Sequence, residues 1–186
     1  IGSDNVFVGS RAGKDIITGT KNTIIGSQTS IKNDGQYNIF IGYDSSDTTS
    51  GDYSIGVGVG TGKNDGGKSV NIGDHAGYST NTDSIYSVSV GYQAFVDAKE
   101  GLSPAADQSY GTAIGYRAGD TSYGAQGSTF VGALAGASGP GWHSVCIGME
   151  AGRGVANVGL HDHLFIGNAQ PSANGTLIKG MFNTKE

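Results

Sequence analysis

The sequence predicts an all-β fold, a parallel β-solenoid or β-roll of about ten 16-residue repeats. Three observations predict it. A five-residue unit, polar-β-x-β-Gly, recurs along the chain; its copies fall at nearly constant intervals; and the residues between copies are turn formers. Nowhere do apolar residues recur at i, i+3, i+4 and i+7 over a helical length.

The copies begin with Asn5-Val-Phe-Val-Gly9, Asn22-Thr-Ile-Ile-Gly26, Asn38-Ile-Phe-Ile-Gly42 and Ser54-Ile-Gly-Val-Gly58. They continue through Ser69–Gly73, Ser87–Gly91, Gly111–Gly115, Ser128–Gly132 and Ser144–Gly148 to His163–Gly167. Successive closing glycines are 17, 16, 16, 15, 18, 24, 17, 16 and 19 residues apart. Many are followed by a small-residue stretch, as in Arg11-Ala-Gly13, His75-Ala-Gly77, Arg117-Ala-Gly119 and Glu150-Ala-Gly152. Each repeat therefore reads as strand, sharp glycine bend, short second segment and polar turn. One such unit cannot bury an apolar face alone. Stacking copies at the sheet spacing of about 4.8 Å lets each coil cover the last.

Side chains alternate along a strand, so the two β-positions flanking the central residue share one face. They are Ile, Val, Leu or Thr in every copy, which predicts that they form the inner ladder. The central residue then faces outward, yet it is Phe7, Ile24, Phe40, Phe130 or Phe165 in half the copies. An outward apolar row marks an interface, and three chains around one axis would bury it. A homotrimer is expected, with an interwoven triple β-helix as the alternative.

Composition narrows the function. The chain holds 34 glycines in 186 residues, without Gly-X-Y periodicity, which removes collagen. A net charge of -5 with no basic cluster argues against nucleic acid as a partner. No apolar run approaches the roughly 18 residues of a membrane helix, so no membrane insertion is expected. Cys146 is alone, with neither disulfide nor zinc spacing. The opening Ile1-Gly2-Ser3 reads as an internal cut from a longer protein.

The N-x-F-I-G-x-x-A-G pattern is similar to the head β-rolls of trimeric autotransporter adhesins. It resembles more closely the repeat arrays of bacteriophage tail fibres and tailspikes that precede an endosialidase-type intramolecular chaperone. The stretch Phe165-Ile-Gly-Asn168 followed by Thr176-Leu-Ile-Lys-Gly-Met-Phe-Asn183 looks like the exit from such an array. Residues 1–167 would be the solenoid array and 168–186 an exit segment toward a downstream region. The resemblance implies a structural and receptor-binding segment of a virion tail, extracellular, attaching to a host cell-surface glycan. The alternatives are a polysaccharide depolymerase tailspike and a bacterial adhesin head.

No enzyme is expected. A depolymerase needs two convergent carboxylates about 5–10 Å apart, and the acids here sit in turns at differing phases. Gly62-Lys-Asn-Asp-Gly-Gly67-Lys68-Ser69 matches a phosphate-binding loop letter for letter, but a strand pattern follows where that chemistry needs a helix N-terminus. Cys146 reads as a buried, inert thiol. Recognition is expected where the repeat is interrupted, chiefly in the long interval between Gly91 and Gly115. The candidate binding residues are Phe95, Asp97, Glu100, Asp107 and Tyr110, with Trp142: aromatics to stack on sugars, acids to take hydroxyl hydrogen bonds. No cofactor is expected beyond one candidate. His161 and His163 share one side of an extended segment, and three copies around an axis would offer six nitrogens to a divalent transition metal.

Overall fold

A computed structural model describes residues 2–31, 34–47, 51–62, 67–78, 86–96, 110–122, 125–139, 141–154, 162–168 and 176–181. Its strands are β1 (Val6–Val8), β2 (Thr23–Ser27), β3 (Ser30–Ile31), β4 (Ile39–Tyr43), β5 (Ser46–Asp47), β6 (Ile55–Val59) and β7 (Val70–Ile72). Then come β8 (Val88–Val90), β9 (Thr112–Ile114), β10 (Thr129–Val131), β11 (Val145–Ile147), β12 (His163–Gly167) and β13 (Thr176–Met181). One sheet of eleven strands runs β1-β2-β4-β6-β7-β8-β9-β10-β11-β12-β13, and β3 pairs with β5 separately. Pairing is parallel from β1 to β12, so the chain is a β-solenoid of about eight turns. The last strand, β13, turns back and pairs antiparallel with β12.

The register is the repeat itself. Phe7 aligns with Ile24, Ile24 with Phe40, and Phe40 with Gly56. Asn71, Ser89, Ala113, Phe130, Cys146 and Phe165 continue the same column. This central column faces inward, which reverses the predicted phase. Ile24, Phe40, Ala113, Phe130, Cys146 and Phe165 are all 0% exposed. The flanking residues, expected inside, face out: Ile39, Ile41, Ile72, Ile114 and Ile147 are 37–41% exposed. From Ile24 onward the row is therefore the chain's own core, not an outward stripe, while Phe7 in the first strand is 43% exposed.

The reason is volume. A coil of about 16 residues encloses a space only one or two side chains wide, so large and small residues must alternate through it. Phe40 lies over Gly56, where an added Cβ would strike its ring. Phe95 packs in the same cluster as Ala113, and its ring meets Phe130. Ala76, Ala94, Ala118, Ala135 and Ala151, from the small-residue stretch, line the same interior and are at most 1% exposed.

Two polar columns close the coils. At the residue opening each strand unit, the Asn22 amide donates from Nδ2 to the Gly35 carbonyl at 2.7 Å, while its Oδ1 accepts the Asn38 backbone N–H at 2.9 Å. Asn38 repeats this with Gly51 at 2.9 Å and the Ser54 N–H at 2.7 Å. Such buried amides are affordable because both ends are satisfied. The closing glycines form the second column, at φ between 116° and 152°. A Cβ on Gly26 or Gly42 would overlap the carbonyl oxygen of the glycine in the next coil. Only glycine lets the backbones stack there.

Candidate functional site

The surface feature with most chemistry is a corner of the solenoid just before each strand unit. Residues aligned from coil to coil sit there, Asp4, Lys21, Tyr37, Tyr53, Lys68, Tyr86, Tyr110, Gly127, His143 and Asp162, at φ between 56° and 65°. This left-handed conformation is costly for residues with a Cβ, on the order of 1 kcal/mol each. Interchain-like hydrogen bonds between coils offset it: the Tyr37 N–H donates to the Thr20 carbonyl at 3.1 Å and the His143 N–H to the Gln126 carbonyl at 2.9 Å.

Because the coils stack in register, the corner side chains stack too. Tyr37 and Tyr53 lie face to face, with centroids 4.9 Å apart and planes at 4°. Tyr86 and Tyr110 repeat this at 5.2 Å and 11°. Each pair is headed by a lysine. Lys21 Nζ sits 4.8 Å above the Tyr37 ring and donates to its hydroxyl at 2.9 Å. Lys68 Nζ sits 5.0 Å above Tyr86 and donates to that hydroxyl at 3.1 Å. These hydrogen bonds, then the charge interaction with the same tyrosine, raise both ammonium pKa values above 10.5. Across the strand, Tyr92 and Tyr116 form a parallel stack at 5.5 Å and 8°.

The predicted site residues separate. Tyr110, 61% exposed, and Trp142, 43% exposed, lie on this same edge. Phe95 does not: it is fully buried, with φ of 49°, turned into the core from a corner where other coils carry glycine. Asp97, Glu100 and Asp107 lie outside the described residues. So does His161. His163 is 5% exposed and its ring stacks on Phe165 at 5.6 Å, so it belongs to the chain's own interior and not to an outer face shared between copies. Among the described residues no group of three His, Cys, Asp or Glu side chains is placed to hold a metal ion.

Other readings of the sequence find their places. Lys68 and Ser69 lead into strand β7, not a helix. Cys146 is buried between Phe130 and Phe165, and burial pushes its thiol up to about 12. Asp120, only 3% exposed, is ion-paired to Arg117, whose pKa that hydrogen bond and charge raise. The tyrosine–lysine column itself was missed from sequence, although its signal was available: each member immediately precedes the polar residue opening a strand unit.

No known protein family, curated protein or solved structure matches this chain.

Proposed function

We propose that this chain is a structural and receptor-binding segment of a trimeric phage tail fibre, a non-enzymatic element of the virion that attaches to a host-surface glycan. One observation carries the reading: the solenoid leaves two parallel columns of β-branched residues on the outside of its sheet. Val6, Thr23, Ile39, Ile55, Val70, Val88 and their successors form one column; Val8, Ile25, Ile41, Val57, Ile72 and Val90 begin the other. Every described member is exposed or half-buried. Monomeric proteins rarely expose a contiguous apolar patch beyond roughly 300–600 Å². Three copies around an axis parallel to the solenoid would cover these stripes and keep the coil stacks aligned as a shaft. The resemblance of the repeats and of the exit stretch to tail-fibre arrays supports the choice of three.

Light scattering tests it. A mass of about 56 kDa, three times the chain's 18.8 kDa, is the expected result, and a stable 18.8 kDa monomer overturns it. Incubation with purified bacterial surface polysaccharides should leave their length unchanged; shortening would favour the depolymerase instead.

A further inference from the structure

Nine tyrosines stand in the chain, and six of them pair ring to ring between neighbouring coils. Tyr37 stacks on Tyr53 at 4.9 Å, Tyr86 on Tyr110 at 5.2 Å and Tyr92 on Tyr116 at 5.5 Å, with planes at 4°, 11° and 8°. None of the six is buried: their exposures run from 42% to 61%. Ring pairs inside a core serve packing. Exposed phenols held at this spacing also share a chemistry.

We infer that these stacks are sites of oxidative tyrosine–tyrosine coupling, which joins one coil covalently to the next. The oxidant is of the haem-peroxidase class, with hydrogen peroxide as the electron acceptor. This inference does not rest on the attachment reading. Each phenol gives one electron and its hydroxyl proton to the oxidant and becomes a tyrosyl radical. Unpaired density at the ring carbons ortho to oxygen then pairs, forming one Cε–Cε bond. The two hydrogens on those carbons move through water to the oxygens and restore both phenols. In total the chain loses two hydrogen atoms per link, and one hydrogen peroxide takes two electrons and two protons to become two waters.

What the fold supplies is proximity. Radicals on separate chains must meet by diffusion, whereas these rings are held near the strand spacing of about 4.8 Å. Groups fixed side by side react as though at very high concentration. The corner pairs are aligned by their backbones, since Tyr37, Tyr53, Tyr86 and Tyr110 share φ between 59° and 61°. Lys21 and Lys68 steady the first ring of each corner stack through their hydrogen bonds to the Tyr37 and Tyr86 hydroxyls. Tyr43 is an internal control. It is 49% exposed, but its register partners are Ser27 and Val59, so the sheet sets no ring beside it.

Placement gives the links a consequence. Tyr86 and Tyr110 lie just before strands β8 and β9, and Tyr92 and Tyr116 lie just after them. Both pairs therefore join the same two coils, across the 24-residue interval from Gly91 to Gly115. That interval is the longest in the repeat. Links at both ends would clamp β8 to β9 where the connection between coils is longest.

The test treats the whole chain with a haem peroxidase and hydrogen peroxide, with free tyrosine as the positive control. Dityrosine fluorescence, intact mass and cross-linked peptides are read from the single-chain band of a denaturing gel. The native chain should lose two hydrogens per link, with peptides joining Tyr37 to Tyr53, Tyr86 to Tyr110 and Tyr92 to Tyr116. Tyr43 should join no other tyrosine. Tyr53→Phe, which keeps the ring and removes the phenol, should delete the Tyr37 link and leave the other two. A native chain without dityrosine, under conditions that couple free tyrosine, overturns the inference. So do links formed only between chains, links at Tyr43 as abundant as those in the stacks, or the same link pattern from urea-unfolded chain. The linked chain should also unfold at a higher urea concentration than the untreated chain; equal midpoints would overturn the clamping of β8 to β9.

Discussion

The rings of Phe95 and Phe130 meet edge to face inside the solenoid, with centroids 5.9 Å apart and planes at 70°. They come from different parts of the coil: Phe130 from the middle of strand β10, and Phe95 from a left-handed corner where Gly77 and Gly119 stand in neighbouring coils. Phe95 accepts an unfavourable backbone and its ring lies over Gly119, where an added Cβ would strike it.

Either ring should therefore be costly to remove. Phe95→Ala and Phe130→Ala should each destabilise the chain by about 3–5 kcal/mol, read from urea unfolding. The double variant should fall short of the sum, because each single variant already loses the shared contact. Strict additivity would mean the rings do not support one another.

Asn38 tests the polar column. Asn38→Ala strands the Gly51 carbonyl and the Ser54 N–H, both now bonded by the side chain at 2.9 and 2.7 Å. Leaving buried partners unmade costs about 1–3 kcal/mol apiece. Native-state hydrogen exchange should accelerate most at Ser54, the amide that loses its acceptor.

Gly42→Ala should be far worse than Gly154→Ala. Both glycines have positive φ, 144° and 68°, so both variants carry backbone strain. At Gly154 an added Cβ meets nothing within 4 Å, whereas at Gly42 it overlaps the Gly58 carbonyl oxygen. Circular dichroism should find Gly154→Ala folded with a modest loss of melting temperature and Gly42→Ala largely unfolded.

Cys146 supplies a pH prediction. Burial raises its folded pKa from 9.0 to about 12. The folded chain thus holds this proton more tightly than the unfolded chain. The associated stability is complete below pH 9 and declines as pH rises from there toward 12. Cys146→Ser should flatten that part of the stability–pH curve, and a thiol reagent at pH 8 should label the wild type only after denaturation.

The outward columns make a last pair of variants informative. Ile41→Asp and Ile147→Asp place charges on the exposed sheet face, at residues 37% and 40% exposed. Each should lower the mass in light scattering toward 18.8 kDa while the circular dichroism spectrum stays β. Phe40→Asp, by contrast, should unfold the chain, because it buries an unpaired charge. If Ile41→Asp keeps the wild-type mass, the sheet face is not the interface.

By itself the sequence determined where strands, bends and coil boundaries fall. Glycine at the end of each strand unit marks a place where backbones stack too closely for a Cβ, and that constraint is local enough to read from Gly26 or Gly42 directly. It also brought Tyr110 and Trp142 into view, since exposed aromatics beside an interruption are legible one residue at a time. Only the tertiary structure decided which way each strand faces. Alternation with period two divides Ile39, Phe40 and Ile41 into two classes, but both classes are apolar, so hydrophobicity cannot choose between them. Closure of the coil chooses: its narrow interior takes the variable column, where Phe40 lies over Gly56 and Phe95 packs with Ala113, and leaves the flanking aliphatic and threonine columns outside. The same closure sends Phe95 and His163 inward, and it aligns Lys21, Tyr37, Tyr53, Lys68, Tyr86 and Tyr110, residues 15 to 24 apart in sequence, into one column.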